Sequence, residues 1–320
     1  MRARRAGGDK GVVLLITLMI LVLIVTLVWE VFRVGAGAAQ TGAFGRDSIR
    51  SLLVAEAGIA AARVALRVDL NDNKYDTLDE IWSRPVPAID LGEGTIQIVV
   101  EDEERKVNIN LLVLKNGNAP DDNWLAVFQR LLETLDIDPS LADAVVDWLD
   151  NDETPRVGGA ESAFYLSRKF PYKSKNDKFD TVDELRLVRG VTPEVLEKIK
   201  PFITVYGSGK VNINTAPVPV LMALSAGQGE ADIGEITETL ANEIVEYRKD
   251  TPFQKIEEIR NVSPFLSDLY QKTRFRDLLD VQGTAFHVRS TGEFTGTVRV
   301  IDSVGIRSAK AIQWRYWRVE

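Results

Sequence analysis

The sequence predicts an α+β chain in which one long N-terminal helix lies on an antiparallel sheet and a block of helices is inserted into that sheet. Three observations lead there. An uncharged apolar run, Val12 to Trp29, continues into an Ala- and Leu-rich stretch with no proline before Pro85. Strand-like alternation occurs early, at Ile96/Ile98/Val100, and late, from Phe286 onward. Between them, apolar residues recur at helical spacing.

The first element is a helix over about residues 12–68. The run Val12–Trp29 makes a helix roughly 27 Å long, close to one bilayer core. Arg2, Arg4, Arg5 and Lys10 precede it, and Glu30 and Arg33 follow it. The positive-inside bias puts the N-terminus in the cytoplasm and everything after residue 33 on the exported side. A cleavable secretory signal is the competing reading, with Gly35 to Ala39 as its small-residue site. The run is long for such a signal, and the pattern stays helical beyond it. Ile49, Leu52, Leu53, Ile59 and Leu66 are expected on the buried face. Glycines between 35 and 45 weaken the middle without stopping the helix.

The strand Ile96/Ile98/Val100 comes next, and then a near-repeat. Lys106-Val107-Asn108-Ile109-Asn110 returns as Lys210-Val211-Asn212-Ile213-Asn214. Val107/Ile109 and Val211/Ile213 read as short half-buried strands. The asparagines suit turns or caps. A five-residue identity within one chain points to duplicated structure. Helices follow the copies. Trp124, Val127, Phe128, Leu131 and Leu132 share one face, as do Leu141, Val145, Trp148 and Leu149. Thr181 and Glu184 fit a capping box. Glu184 to Pro193 reads as a helix-hairpin-helix turning at Gly190, and Phe253 to Pro264 as a weaker version with Asn261 in place of the glycine. The last strands are Phe286/Val288, Val298/Val300 and Ile312/Trp314/Tyr316.

Composition narrows the function. The formal charge is -8; removing residues 1–11 takes away four basic residues and one acidic one and leaves -11. So acidic a chain does not suit nucleic acid, and the helix-hairpin-helix pattern is read as structural. There is no cysteine, hence no disulfide framework. The single histidine, His287, excludes a multi-histidine metal site. A Ser-His-Asp triad would have to centre on His287, which has no nucleophile signature near it. No P-loop or dinucleotide fingerprint occurs.

The N-terminus resembles the class III signal of type IV pilins and pseudopilins. In them a peptidase cuts after a glycine that precedes the apolar segment. Gly11 matches that glycine, and Val12 would be the mature N-terminus. The usual glutamate at the fifth mature position is here Ile16. The minor pseudopilin K family of type II secretion systems typically lacks that glutamate, and the chain resembles this family along its length. The resemblance is carried by Gly11 with the apolar run, Ile16, Arg105-Lys106-Val107-Asn108-Ile109-Asn110, Asp147-Trp148-Leu149-Asp150, Gly159-Ala160-Glu161, Asp183-Glu184-Leu185-Arg186-Leu187-Val188 and Val211-Asn212-Ile213-Asn214-Thr215-Ala216. It implies a pseudopilin fold with inserted SAM-like, helix-hairpin-helix domains. Residues 1–11 would be a cleaved leader and 12–33 a transmembrane segment. Residues 34–102 would hold the pseudopilin helix and first strands, 103–205 and 206–283 two SAM-like domains, and 284–320 the closing strands. It further implies a structural, non-enzymatic role at the tip of a periplasmic pseudopilus. The partners would be the minor pseudopilins I and J, other pseudopilus subunits, the prepilin peptidase and the inner membrane.

One constellation suits a metal. Asp150-Asn151-Asp152 opens a window ending at Glu161, with carboxylates at positions 1, 3 and 12 of a calcium loop. Pro155 stands where an EF-hand has glycine, so this is no EF-hand. Calcium tolerates irregular oxygen cages, and Asp147, one helical turn before Asp150, can join. The competing reading is a solvated acidic loop; the family resemblance implies calcium in the helical domain. A second window, Asp69 to Glu80, has Lys74 at the glycine position, and Thr77 to Glu80 is better read as a capping box. The alternative function is a membrane-anchored periplasmic hydrolase using an acidic pair.

Overall fold

The computed structural model describes residues 8–84, 87–117, 119–224, 235–308 and 311–320. Arg2, Arg4 and Arg5 lie outside the described residues. In chain order the fold begins with helix α1 (Gly8–Asp72) and strands β1 (Ile89–Asp90) and β2 (Gly94–Asp102). Residues 103–284 then leave the sheet. They hold β3 (Val107–Asn108), α2 (Asp122–Thr134), α3 (Leu141–Leu149), α4 (Ser162–Leu166), α5 (Pro193–Ile199), β4 (Ile203–Thr204), β5 (Val211–Asn212), α6 (Val218–Ala223), α7 (Glu238–Asp250), α8 (Pro264–Tyr270), α9 (Thr273–Leu278) and β6 (Leu279–Asp280). The chain returns as β7 (Ala285–Phe294), β8 (Thr297–Arg307) and β9 (Ile312–Val319).

The early and late strands form one antiparallel sheet, in the order β1-β2-β7-β8-β9. Asp102, the last residue of β2, pairs with Phe286 near the start of β7. The helical block therefore leaves and re-enters at one end of two neighbouring strands, and the sheet does not have to open for it.

Helix α1 runs unbroken through Gly35, Gly37, Gly42 and Gly45. Its apolar side chains from Val12 to Val34 stand exposed. The second half packs on the sheet through Ala55, Ile59, Ala62 and Leu66, spaced four, three and four residues apart, against Phe286, Val288 and Ile301. Burying Ile59 and Leu66 alone stabilises by roughly 3–6 kcal/mol at most.

Ile59 and Leu66 are buried as expected, but the N-terminal part of this face differs. Ile49 and Leu53 point to solvent, and Leu52 is half-buried. The reason is close approach. A Cβ on Gly292 would strike the backbone of Ser51 and Ala55, and one on Gly58 would strike Ser290. The sheet selects the face of small residues, which lets backbone touch backbone, over the face with the larger side chains.

The near-repeat is duplicated structure. Val107 pairs in parallel with Ile203, and Val211 with Leu279. The strands are two residues long and fully buried, shorter and deeper than the alternation suggests. The last asparagine of each copy clamps a distant phenylalanine from both sides. Asn110 accepts from the Phe179 amide (2.8 Å) and donates to its carbonyl (3.0 Å); Asn214 does the same with Phe253 (2.9 and 2.8 Å). Each phenylalanine is followed by a 3-10 turn, 182–187 or 256–261, and a helix with proline at its first position, α5 or α8. Gly190 has φ +85 in the first copy, whereas the second turns without a left-handed residue at Asn261. The copies diverge just before the phenylalanine. Residues 150–178 separate α3 from Phe179, while only Thr251 and Pro252 separate α7 from Phe253.

Sheet and α1 are locked together beside the block by Arg307. Its Nη2 donates to both oxygens of Asp76 (2.7 and 2.5 Å), its Nη1 to Asp69 (2.7 Å), and its guanidinium lies 4.5 Å from the Phe286 ring centroid. Residues 77–83 are turns with no helix, so the capping box expected at Thr77 is absent. Glu80 instead accepts from Trp82 Nε1 and Asn73 Nδ2.

Arg307 and Asp76 are almost wholly buried, so Arg307→Ala should leave an uncompensated carboxylate and destabilise the fold by about 3–5 kcal/mol. Urea unfolding followed by circular dichroism measures it. A loss under about 1 kcal/mol would assign the lock to packing alone.

Candidate metal centre

Residues 150–178, the segment unique to the first copy, carry the candidate site. Helix α3 presents Asp147 and Trp148 from its last turn, and Asp150 is its C-terminal cap. The chain then loops out and returns, placing Glu161 at the N-cap of α4. Asp147, Asp150 and Glu161 are buried, and one oxygen of each lies within 4.8 Å of the others. Asp150 Oδ1 and Glu161 Oε1 accept no hydrogen bond.

Two buried carboxylates at that distance repel by roughly 3 kcal/mol at an effective dielectric of 20. Protonation relieves the strain in part. Burial first, and then the charges of Asp147 and Asp150, raise Glu161 to about 8. Burial likewise raises Asp147 and Asp150 to about 6. Two orphaned oxygens facing a third carboxylate make a hard, anionic donor set, which fits a calcium-type ion.

The loop is shaped around this cluster. The Arg156 amide donates to Asp147 Oδ2 (3.1 Å), and Arg156 Nε donates to Asp143 (2.7 Å). A Cβ on Gly159 would overlap the Asp147 carboxylate, so only glycine lets the chain pass there. An aromatic cluster holds the loop from outside. Trp148 meets Tyr165 edge-on at 5.2 Å and stacks near Phe179 at 6.5 Å, and Tyr165 stacks on Tyr172 at 5.2 Å. The Arg189 amide donates to Tyr165 Oη (3.1 Å), and Arg189 Nη1 donates to the Gly159 carbonyl (2.6 Å). These bonds fasten the loop to the Gly190 turn.

Of the expected ligands, the structure gathers Asp147, Asp150 and Glu161 and leaves Asp152 outside. Asp152 is exposed, and its Oδ1 accepts from the Thr154 amide (2.7 Å), closing a local turn. The sequence reading passed over Glu153, which accepts from the Ser162 hydroxyl (3.0 Å), and over Ser174, which donates to Glu161 Oε2 (3.2 Å). Neither stands at a loop-motif position, so spacing carried no signal for them. Two other groups of acidic residues are neutralised internally. Arg307 sits among Asp69, Asp76 and Glu80, and Lys106 bridges Glu101 and Glu103 (2.7 and 3.0 Å) next to His287. His287 itself bonds Asp302.

With this geometry in hand, known proteins are informative. The family model for "Type II secretion system (T2SS), protein K" matches residues 105–208. The Type II secretion system protein K of Pseudomonas aeruginosa is 34% identical over 245 residues, covering 70% of this chain and 71% of that protein. This chain belongs to the type II secretion system protein K family. Members from Aeromonas hydrophila (31% over 232 residues, 66% and 68% covered) and Klebsiella pneumoniae (27% over 261 residues, 78% and 78%) agree. A helix-hairpin-helix model matches residues 207–276, the copy whose turn lacks glycine. The fold is that of a chain in the crystal structure of the GspK-GspI-GspJ complex from the enterotoxigenic Escherichia coli type 2 secretion system. The TM-score is 0.71 at 19% identity, covering 86% of this chain and 98% of that one. The chain is thus a minor pseudopilin of the K family, part of the secretion machinery.

The raised carboxyls set the pH behaviour of the metal-free protein. A group whose folded pKa exceeds its unfolded value contributes stability present in full below the unfolded value and lost as pH rises through the folded one. In chelator, stability should therefore fall between about pH 4 and pH 8. Glu161→Gln should flatten that slope and raise the urea midpoint at pH 8. An unchanged slope in the variant would mean that Glu161 is not protonated in the folded chain.

Proposed function

We propose that this chain is a non-enzymatic, membrane-anchored subunit at the tip of a type II secretion pseudopilus, with a helical head organised by calcium. The observation that carries this reading is the division of labour along α1. Its first half is apolar and exposed over more than a bilayer's length, and its second half is buried on the sheet. The anchor spans the inner membrane once, with a short cytoplasmic N-terminus and a periplasmic body. The GspK-GspI-GspJ complex, whose fold the chain shares, supports assembly with the minor pseudopilins I and J.

Two features favour the tip. The resemblance implies that the missing glutamate, at Ile16, docks a new subunit beneath one already above it. The first subunit of a fibre has none above it, so an apolar residue there avoids an intramembrane charge. The helical block, at the α1 end opposite the anchor, would obstruct a further subunit stacking on top. Catalysis by an acidic pair finds little support. The closely placed Asp102 and Glu104 are buried under Asn212, Thr215 and Thr284, out of a substrate's reach.

The peptidase should cut between Gly11 and Val12. N-terminal sequencing of the membrane form tests this, and a chain beginning at Met1 would contradict it. Co-purification with subunits I and J tests the assembly; failure to recover either from detergent-solubilised membranes would count against it. The calcium proposal is read from melting curves. Calcium should raise the melting temperature over chelator, since an ion bound only to the folded state stabilises it by mass action. Asp150→Asn should abolish that gain and Asp152→Ala should keep it. Magnesium should substitute poorly, because it resists dehydration. Equal curves with calcium and chelator would return the loop to a solvated acidic turn.

A further inference from the structure

The loop that carries the acidic cluster turns a different surface outward. Residues 164–173 read Phe-Tyr-Leu-Ser-Arg-Lys-Phe-Pro-Tyr-Lys. Tyr165 and Tyr172 point inward to Trp148. Phe170 is 77% exposed and Leu166 47%. Cations surround these apolar groups. The Arg168 and Arg189 guanidiniums lie 5.4 and 5.1 Å from the Phe164 ring centroid, and Lys169 Nζ lies 5.6 Å from that of Phe170. Nearby, Arg156 and Lys175 are paired with carboxylates. Arg168, Lys169 and Lys173 are exposed and make no ion pair among the described residues.

A patch of unpaired cations is out of character for a chain of net charge -8. Exposed Phe and Leu beside them add contact area that water does not reward. We propose that this face docks an acidic segment of a partner protein whose acidic residues are interleaved with apolar ones. The cations supply charge complementarity, and Phe170 and Leu166 supply the apolar anchor. A small free anion would leave Phe170 and Leu166 unused. The chain's own membrane is out of reach: α1 alone extends roughly 58 Å from Arg33 to Asp72, and the helical block lies at that far end. This last exclusion rests on the anchored topology proposed above; the charge and apolar arguments stand without it.

The test uses the full-length protein held in phosphatidylcholine nanodiscs. The probe is a fluorescein-labelled peptide alternating Glu and Phe, with a Gln-for-Glu version as control, read by fluorescence anisotropy. The Glu peptide should bind, and binding should weaken as salt rises. The triple variant Arg168→Glu, Lys169→Glu, Lys173→Glu should weaken it about tenfold at an unchanged melting temperature. Phe170→Ala should weaken it by a smaller factor. Equal binding of the Gln peptide, or wild-type binding by the triple variant, would overturn the proposal. So would co-sedimentation with phosphatidylglycerol vesicles through the same residues without peptide binding, which would make the face a lipid site. Running each titration with calcium and with chelator keeps the readings apart. Binding lost only in chelator supports docking on a calcium-ordered loop; binding absent in both sinks the docking face and leaves the calcium reading untouched.

Discussion

Everything in this molecule is hung on the contact between the second half of α1 and the sheet. It is a contact of backbones. Gly58 and Gly292 have no room for a Cβ, and Ser51, Ala55 and Ala62 keep the helix low on β7 and β8. Ser51 Oγ donates to the Thr297 carbonyl (2.7 Å), and Arg299 Nε donates to Ser48 Oγ (2.8 Å), tying the β7–β8 hairpin to the same stretch of helix. With the helix fixed there, its apolar N-terminal half is left without a partner among the described residues. At the other end the sheet offers neighbouring strand ends, Asp102 and Ala285, from which a large insertion can grow.

The insertion shows how a fold unit is elaborated. Two copies share the asparagine clamp, the short parallel strand pair and the proline-started helix. Only the first has the excursion at residues 150–178, which buries the ring cluster on Trp148 and leaves Val157, Leu166 and Phe170 facing outward. Its inner side is lined by carboxylates whose repulsion opposes order. The physics of the loop is a balance between aromatic packing, which closes it, and buried charge, which opens it. In the calcium reading proposed above, a cation would shift that balance toward closure.

Much of this was legible in the primary structure, for identifiable reasons. The apolar run is legible from its length and lack of charge. The late alternating strands and the face of α2 follow from periodicity, because each of these buries one side. Helix α3 shows its period in the sequence but is buried almost all round. The repeat showed itself because the same asparagine clamp needs the same residues twice. The buried face of α1 was right at Ile59 and Leu66 and wrong at Ile49 and Leu53, where close packing favoured Ser, Gly and Ala over larger side chains. The second acidic window is a case where spacing is silent: its countercharge, Arg307, lies far away in the chain and was brought in only by the sheet. Asp152 fits the pattern of a calcium loop yet serves a local turn. Asp147, set by helical geometry, faces the cluster. What sequence spacing could not supply is which carboxylates the returning loop meets.

The central claim is a position, a single subunit capping a pseudopilus with its helical head outermost. The chain has no cysteine, so one introduced at the exposed Val157 gives a unique handle. Gold-labelling that cysteine on assembled pseudopili and imaging them by electron microscopy tests the claim most directly. The account predicts one gold particle at one end of each fibre and none along the shaft. Particles spaced regularly along the shaft would contradict it.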